Sequence, residues 1–86
     1  MSVAQKTRQY ILENILFTDD ESVINDDDSF LKKGIIDSTG ILELIYFLED
    51  EFGVKVNDSE MIPENLDSID NIAAFVSKKR AQAEGA

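Results

Sequence analysis

The chain has 86 residues, 18 acidic and 8 basic side chains, a net charge of −10 and a sequence pI near 4.1, so one small acidic domain is expected. It holds no Cys, His or Trp, which excludes a disulfide framework, a thiolate nucleophile, a Cys- or His-built metal centre and a His general base. The negative surface disfavours nucleic acid and anionic membranes and favours basic partners.

Apolar spacing is helical over most of the chain. Residues 3–17 place Val3, Thr7, Ile11 and Ile15 four apart, with Leu12 and Leu16 widening the stripe. Ser2 is the expected N-cap. Residues 18–37 have no clear period, and Asp19 to Asp28 hold six acidic side chains and no basic one. A loop this long calls for internal packing or a function, and Phe30, Leu31 and Ile36 are the expected pins. Asp26 to Asp28 lack the glycine and closing glutamate of a calcium loop, so no metal site is assigned.

Residues 38–52 give the strongest helix. Ile41, Leu44, Ile45, Leu48 and Phe52 fall within about 100° of arc. Asp37 or Ser38 caps its start, and Gly53 ends it in a left-handed conformation. Residues 57–62 predict one short helical turn closed by Pro63. Residues 67–80 predict a last helix, capped by Asp67, with Ile69, Ile72, Ala73 and Val76 inward. Lys78, Lys79 and Arg80 are placed in its last turn. Residues 81–86 read as a flexible tail. Val54–Val56 is the one short extended stretch. No apolar run is long enough to span a bilayer, and the N-terminus lacks a signal-peptide pattern, which predicts a soluble cytoplasmic protein. The fold class is all-α: a bundle of three main helices plus a short one, with a long loop between helices 1 and 2, as a single domain over 1–80.

Chemistry narrows to Gly34-Ile35-Ile36-Asp37-Ser38-Thr39-Gly40-Ile41 and the helix that follows, which ends Glu49-Asp50-Glu51-Phe52-Gly53. Asp-Ser alone is an ordinary helix start. Preceded by a glycine and two apolar residues, and followed by an acidic amphipathic helix, it resembles the acyl carrier protein family, including peptidyl and D-alanyl carriers. The resemblance runs from helix 1 to about residue 80. It implies 4′-phosphopantetheine on Ser38, beside the motif residue Asp37, delivered from coenzyme A by a phosphopantetheinyl transferase. The chain would then be a carrier and an enzyme's substrate, not an enzyme. An anion on Ser38 would lie at a helix N-terminus, where free N–H groups and the helix dipole favour it.

From Asp37 to Glu60 there are seven acidic residues and one basic residue, Lys55. Thr39, Glu43, Tyr46, Glu49 and Asp50 are the expected partner contacts, with Phe47 a further exposed aromatic; Arg- and Lys-bearing enzymes would dock quickly and weakly. Leu44, Met61, Ile62 and Leu66 are the expected cargo slot, where adaptable Met suits an opening pocket. Thr39 and Gly40 depart from the Leu or Met and acidic residue that fatty-acid carriers place after the serine. They are similar to D-alanyl and specialised carriers. Gly inside a helix costs about 1 kcal/mol against Ala, so Gly40 implies a packing or contact reason.

The resulting expectation is a stand-alone, monomeric acyl carrier serving a specialised fatty-acid or polyketide pathway. It would be loaded by a ligase and read by acyltransferases or synthases. The alternatives are an aminoacyl carrier loaded by an adenylating ligase, and an unmodified helical interaction module.

Overall fold

Ser2 opens the first helix with a reciprocal pair of bonds. Its hydroxyl accepts the Gln5 N–H at 3.1 Å, and the Gln5 side chain accepts the Ser2 N–H at 2.9 Å. The computed structural model describes residues 2–84. Helix α1 (Val3–Tyr10) runs directly into a π-helical turn, Ile11–Ile15. Thr7, Ile11 and Leu12 are buried, as the stripe requires.

The long connection then carries a 3₁₀ turn, Glu21–Val23. Ile24, Phe30 and Ile36 sink into the core, each with at most 3% of its surface exposed. Leu31 does not: it is 61% exposed, so it is not a pin. Polar cross-links do that work. Arg8 donates to the carbonyls of Glu21 at 3.1 Å and Ile24 at 2.6 Å, and pairs with Asp26. The Asp26 carbonyl accepts the Asp70 N–H at 2.9 Å.

Helix α2 (Ser38–Phe52) has the expected ends. Asp37 is the cap, and Gly53 closes the helix at φ 66°. Leu44, Ile45 and Leu48 form its buried face. Val54 and Val56 are buried, but no strand forms among the described residues.

The region after α2 differs from expectation in three ways. Residues Asp58–Glu60 form a 3₁₀ turn, and Pro63 starts helix α3 (Pro63–Leu66) instead of closing a turn. A proline lacks the N–H that the first helical position leaves unused, and its fixed φ suits that position. Helix α4 (Ile69–Glu84) is capped by Ser68, whose hydroxyl accepts the Asn71 N–H at 3.0 Å, not by Asp67. It also continues to Glu84, beyond the expected start of a tail at residue 81; residues 85 and 86 lie outside the described residues. Lys78, Lys79 and Arg80 therefore precede the last turn, and Lys79 pairs with Glu60 at 2.9 Å.

Among the described residues the four α-helices share one core. Ile69, Ile72, Phe75 and Val76 of α4 belong to the same buried cluster as Ile11, Leu12, Leu44 and Leu48. Tyr10 stacks on Phe47 with ring centroids 4.2 Å apart, and Phe47 meets Phe52 edge-on at 5.8 Å. Phe47 is thus half-buried packing and not an exposed contact.

Candidate functional site around Ser38

Ser38 is the first residue of α2 and is exposed. Asp37 holds the helix start in place. Its carboxylate accepts the Gly40 N–H at 2.8 Å, and its carbonyl accepts the Ile41 N–H at 2.9 Å. The amides of Ser38 and Thr39 precede the first intrahelical bond, and among the described residues they have no hydrogen-bond partner. Asp37 thereby organises the turn without using the Ser38 hydroxyl.

Gly40 explains how the turn packs. It is buried, and a Cβ built on it would stand 2.7 Å from Ile36 Cγ2 and 3.4 Å from Asp37 Oδ1. Only a residue without a side chain lets Ile36 sit beneath the helix start. This is the packing reason that the sequence implied.

On one side of Ser38 lies an apolar cleft of about 250 Å³ between α2, α3 and the long loop. Ile41, Met61, Ile62 and Leu66 line it, with Leu31 at its edge. Three of the expected cargo-slot residues, Met61, Ile62 and Leu66, come together here. Leu44 does not join them; it is fully buried in the core behind. Leu31 and Ile41 were missed. Leu31 carried a signal, an apolar residue just upstream of the turn, but it read as a core pin.

Asp67 fixes the loop edge of this cleft. Its carboxylate accepts the Leu31 N–H at 3.0 Å and the Ser29 hydroxyl, and its carbonyl accepts the Phe30 N–H at 2.8 Å. These bonds join residues 36 to 38 apart in sequence, so no local pattern announces them.

Along the outer face of α2, Thr39, Glu43, Tyr46 and Asp50 are all exposed, Tyr46 by 67%. Leu42 joins them at 49%. Glu49 is half-buried, and its carboxylate accepts the Val56 N–H at 3.0 Å. It therefore ties down the chain after Gly53. The Tyr10 hydroxyl donates to the Glu43 carbonyl at 3.4 Å, and burial, then the Glu43 charge, raise its pKa. Among the described residues no three acidic side chains are grouped to hold a metal ion. Asp28 pairs instead with Lys33 at 2.9 Å. No described helix is long and apolar enough to cross a membrane.

No family model matches the chain. Individual proteins do. The D-alanyl carrier protein of Streptococcus uberis is 40% identical over 63 residues, which span 73% of this chain and 78% of that one. The chain belongs to the acyl carrier protein family. The acyl carrier protein of Thermotoga maritima is 30% identical over 60 residues, 70% of this chain and 72% of its own. That of Solidesulfovibrio magneticus is 29% identical over 82 residues, 95% of this chain and 100% of its own. The fold agrees with that of the apo KstB peptidyl carrier protein, KstB-PCP: TM-score 0.73, 35% identity, 91% of this chain and 86% of that one. The all-α bundle expected from the helical spacing, and the acyl-carrier fold that the resemblance implied, are thus the observed ones. The carrier has relatives named for acyl, D-alanyl and peptidyl cargo alike.

Proposed function

We propose that the protein carries an acyl group as a thioester on a 4′-phosphopantetheine arm joined to Ser38. The observation that supports this best is the placement of Ser38. An exposed hydroxyl stands at a helix N-terminus, beside two free amides and next to an apolar cleft. The amides and helix dipole suit a phosphodiester there. When bound, the arm supplies the thiol that the sequence lacks. Asp37 keeps the turn fixed, Gly40 lets it pack on Ile36, and Ile41, Met61, Ile62 and Leu66 offer apolar surface to a cargo. A separate transferase would join the arm to Ser38 Oγ: its base takes the hydroxyl proton, the oxygen attacks the phosphorus nearer the pantetheine, and the pyrophosphate bond of coenzyme A breaks to release adenosine 3′,5′-bisphosphate. Other enzymes would load and collect the cargo, docking by basic residues on Glu43, Tyr46 and Asp50.

Intact mass after incubation with coenzyme A and a broad-specificity phosphopantetheinyl transferase tests the reading. A gain of one phosphopantetheine in the wild type and none in Ser38→Ala is expected. No gain with that enzyme or with a transferase from the source organism would leave the unmodified interaction module as the better account.

The second reading, an aminoacyl carrier, is favoured by the 40% identity to a D-alanyl carrier and by the Ser38-Thr39-Gly40 start. The apolar lining of the cleft favours the acyl reading. Loading of the modified protein by an acyl-adenylate ligase against a D-alanyl-adenylate ligase separates them.

A further inference from the structure

Ser38 is flanked by two grooves. The second lies on the side away from the apolar cleft and measures about 400 Å³. Ile15, Phe17 and Ile35 give it an apolar side, and Asp37, Thr39 and Glu43 a polar one. Among the described residues neither the Asp37 nor the Glu43 carboxylate is in an ion pair.

Phe17 is the unusual member. It is 82% exposed and adopts φ 54°, the one described non-glycine residue with positive φ. It occupies the left-handed position that ends the first helical segment: the Leu16 N–H bonds the Ile11 carbonyl at 2.9 Å, and the Thr18 N–H bonds the Leu12 carbonyl at 2.8 Å. Glycine is the ordinary occupant of such a site, because a bulky side chain is strained there. An aromatic ring so exposed recovers little by burial. The fold alone therefore favours glycine at this position, and strain of this kind points outward to function.

We propose that this groove docks the phosphopantetheinyl transferase, which seats an apolar side chain against Phe17 and Ile15 and a lysine or arginine between Asp37 and Glu43. The inference rests on Ser38 being the attachment residue. Position selects the partner: Asp37 and Thr39, the two neighbours of Ser38 in the chain, line the groove, so an enzyme reaching the Ser38 hydroxyl covers it. Two unpaired carboxylates on a chain of net charge −10 select the cationic half of the contact.

The test is the steady-state rate of coenzyme A-dependent mass gain with a broad-specificity transferase, beside thermal unfolding, for wild type, Phe17→Gly and Phe17→Tyr. Phe17→Gly is expected to raise the melting temperature by a few degrees, raise KM about tenfold and leave kcat within about twofold. Phe17→Tyr restores KM to near the wild-type value. A merely structural role would move stability and KM the other way together, so a lower melting temperature with a higher KM overturns the proposal. An unchanged KM in Phe17→Gly, with the wild type modified normally, overturns the docking site alone. A loss confined to the cargo-loading enzyme also overturns it, because the occupant is then a different partner. A wild type that gains no mass overturns the Ser38 reading and this proposal with it.

Discussion

Replacing a helical glycine by alanine ordinarily stabilises a helix by about 1 kcal/mol. At Gly40 the opposite is expected. The new Cβ would stand 2.7 Å from Ile36 Cγ2, about 1 Å inside a comfortable carbon–carbon distance. Ile36 is 3% exposed, and its Cγ2 hangs directly on its Cβ. It cannot swing clear without rotating χ1 in a packed site or shifting the backbone. The second neighbour, Asp37 Oδ1 at 3.4 Å, is the oxygen that caps the Gly40 N–H, so it cannot retreat without loosening the cap. Overpacking of this kind costs about 1–3 kcal/mol. Set against the propensity gain, the net loss is about 1 kcal/mol, or roughly 5 °C in melting temperature for a domain of this size. Circular dichroism melts of Gly40→Ala measure it. Leucine has no branch at Cβ, so Ile36→Leu removes the clashing atom. In that background Gly40→Ala should be neutral or stabilising, with a coupling of at least about 0.5 kcal/mol in the double-mutant cycle. A higher melting temperature for Gly40→Ala alone, or a coupling of zero, would refute the reasoning.

Among the described residues Thr7 Oγ1 is buried with no hydrogen-bond partner, so Thr7→Val should stabilise the fold by about 1 kcal/mol; a lower melting temperature would mean that the hydroxyl has a partner after all. Glu60 is held below the usual carboxylate range, first by Lys79 and then by the Asn57 N–H. Its contribution is therefore present above its unfolded pKa and lost as pH falls towards the folded value. Glu60→Gln should melt lower than wild type at neutral pH, and the gap should close below about pH 4; a gap constant down to pH 3 contradicts the linkage. Glu43→Lys should weaken capture by the transferase and flatten the dependence of its KM on NaCl, and an unchanged salt slope would count against electrostatic docking.

Where a residue's role is set by its neighbours in the chain, the sequence was readable. Ser2, Asp37 and Gly53 cap their helices through contacts at most four residues away, and all stand where the spacing put them. The outer face of α2 followed from the same periodicity. Asp67 shows the limit. Preceding an apolar helical stripe, it looked like a cap, but its carboxylate is taken by Ser29 and Leu31 across the loop, and Ser68 caps the helix instead. Such long-range bonds have no period to reveal them. The π turn did have a signal. A stripe at strict intervals of four drifts about 40° per step around an α-helix, and a wider turn at Ile11–Ile15 reduces that drift. Phe17 lay at the end of the helical range 3–17 and drew no role of its own, since nothing in residue type distinguishes a strained exposed aromatic from a packed one. The apolar cleft beside Ser38 was half legible. Met61, Ile62 and Leu66 do lie together along it, while Leu44 sits in the core and Leu31 at the cleft's edge, because apolarity alone does not say which residue faces the core.

The supports around Ser38 share one property: none of them uses its hydroxyl. Asp37 bonds Gly40 and Ile41, Ile36 fills the space beneath the helix start, and Asp67 holds the loop through Ser29, Phe30 and Leu31. The carboxylates whose pKa the fold lowers, Asp20, Asp28 and Glu60, are likewise bound to the scaffold: to Ser22, to Asn25 and Lys33, and to Lys79 and Asn57. Polar bonding in this chain fixes position and leaves the serine unactivated. A catalytic serine requires a neighbouring base to remove its proton. A serine that another enzyme modifies requires the reverse, a fixed position and an open approach, because the visiting enzyme brings the base. The open amides of Ser38 and Thr39, the apolar cleft on one side and the acidic aromatic groove on the other meet that second requirement.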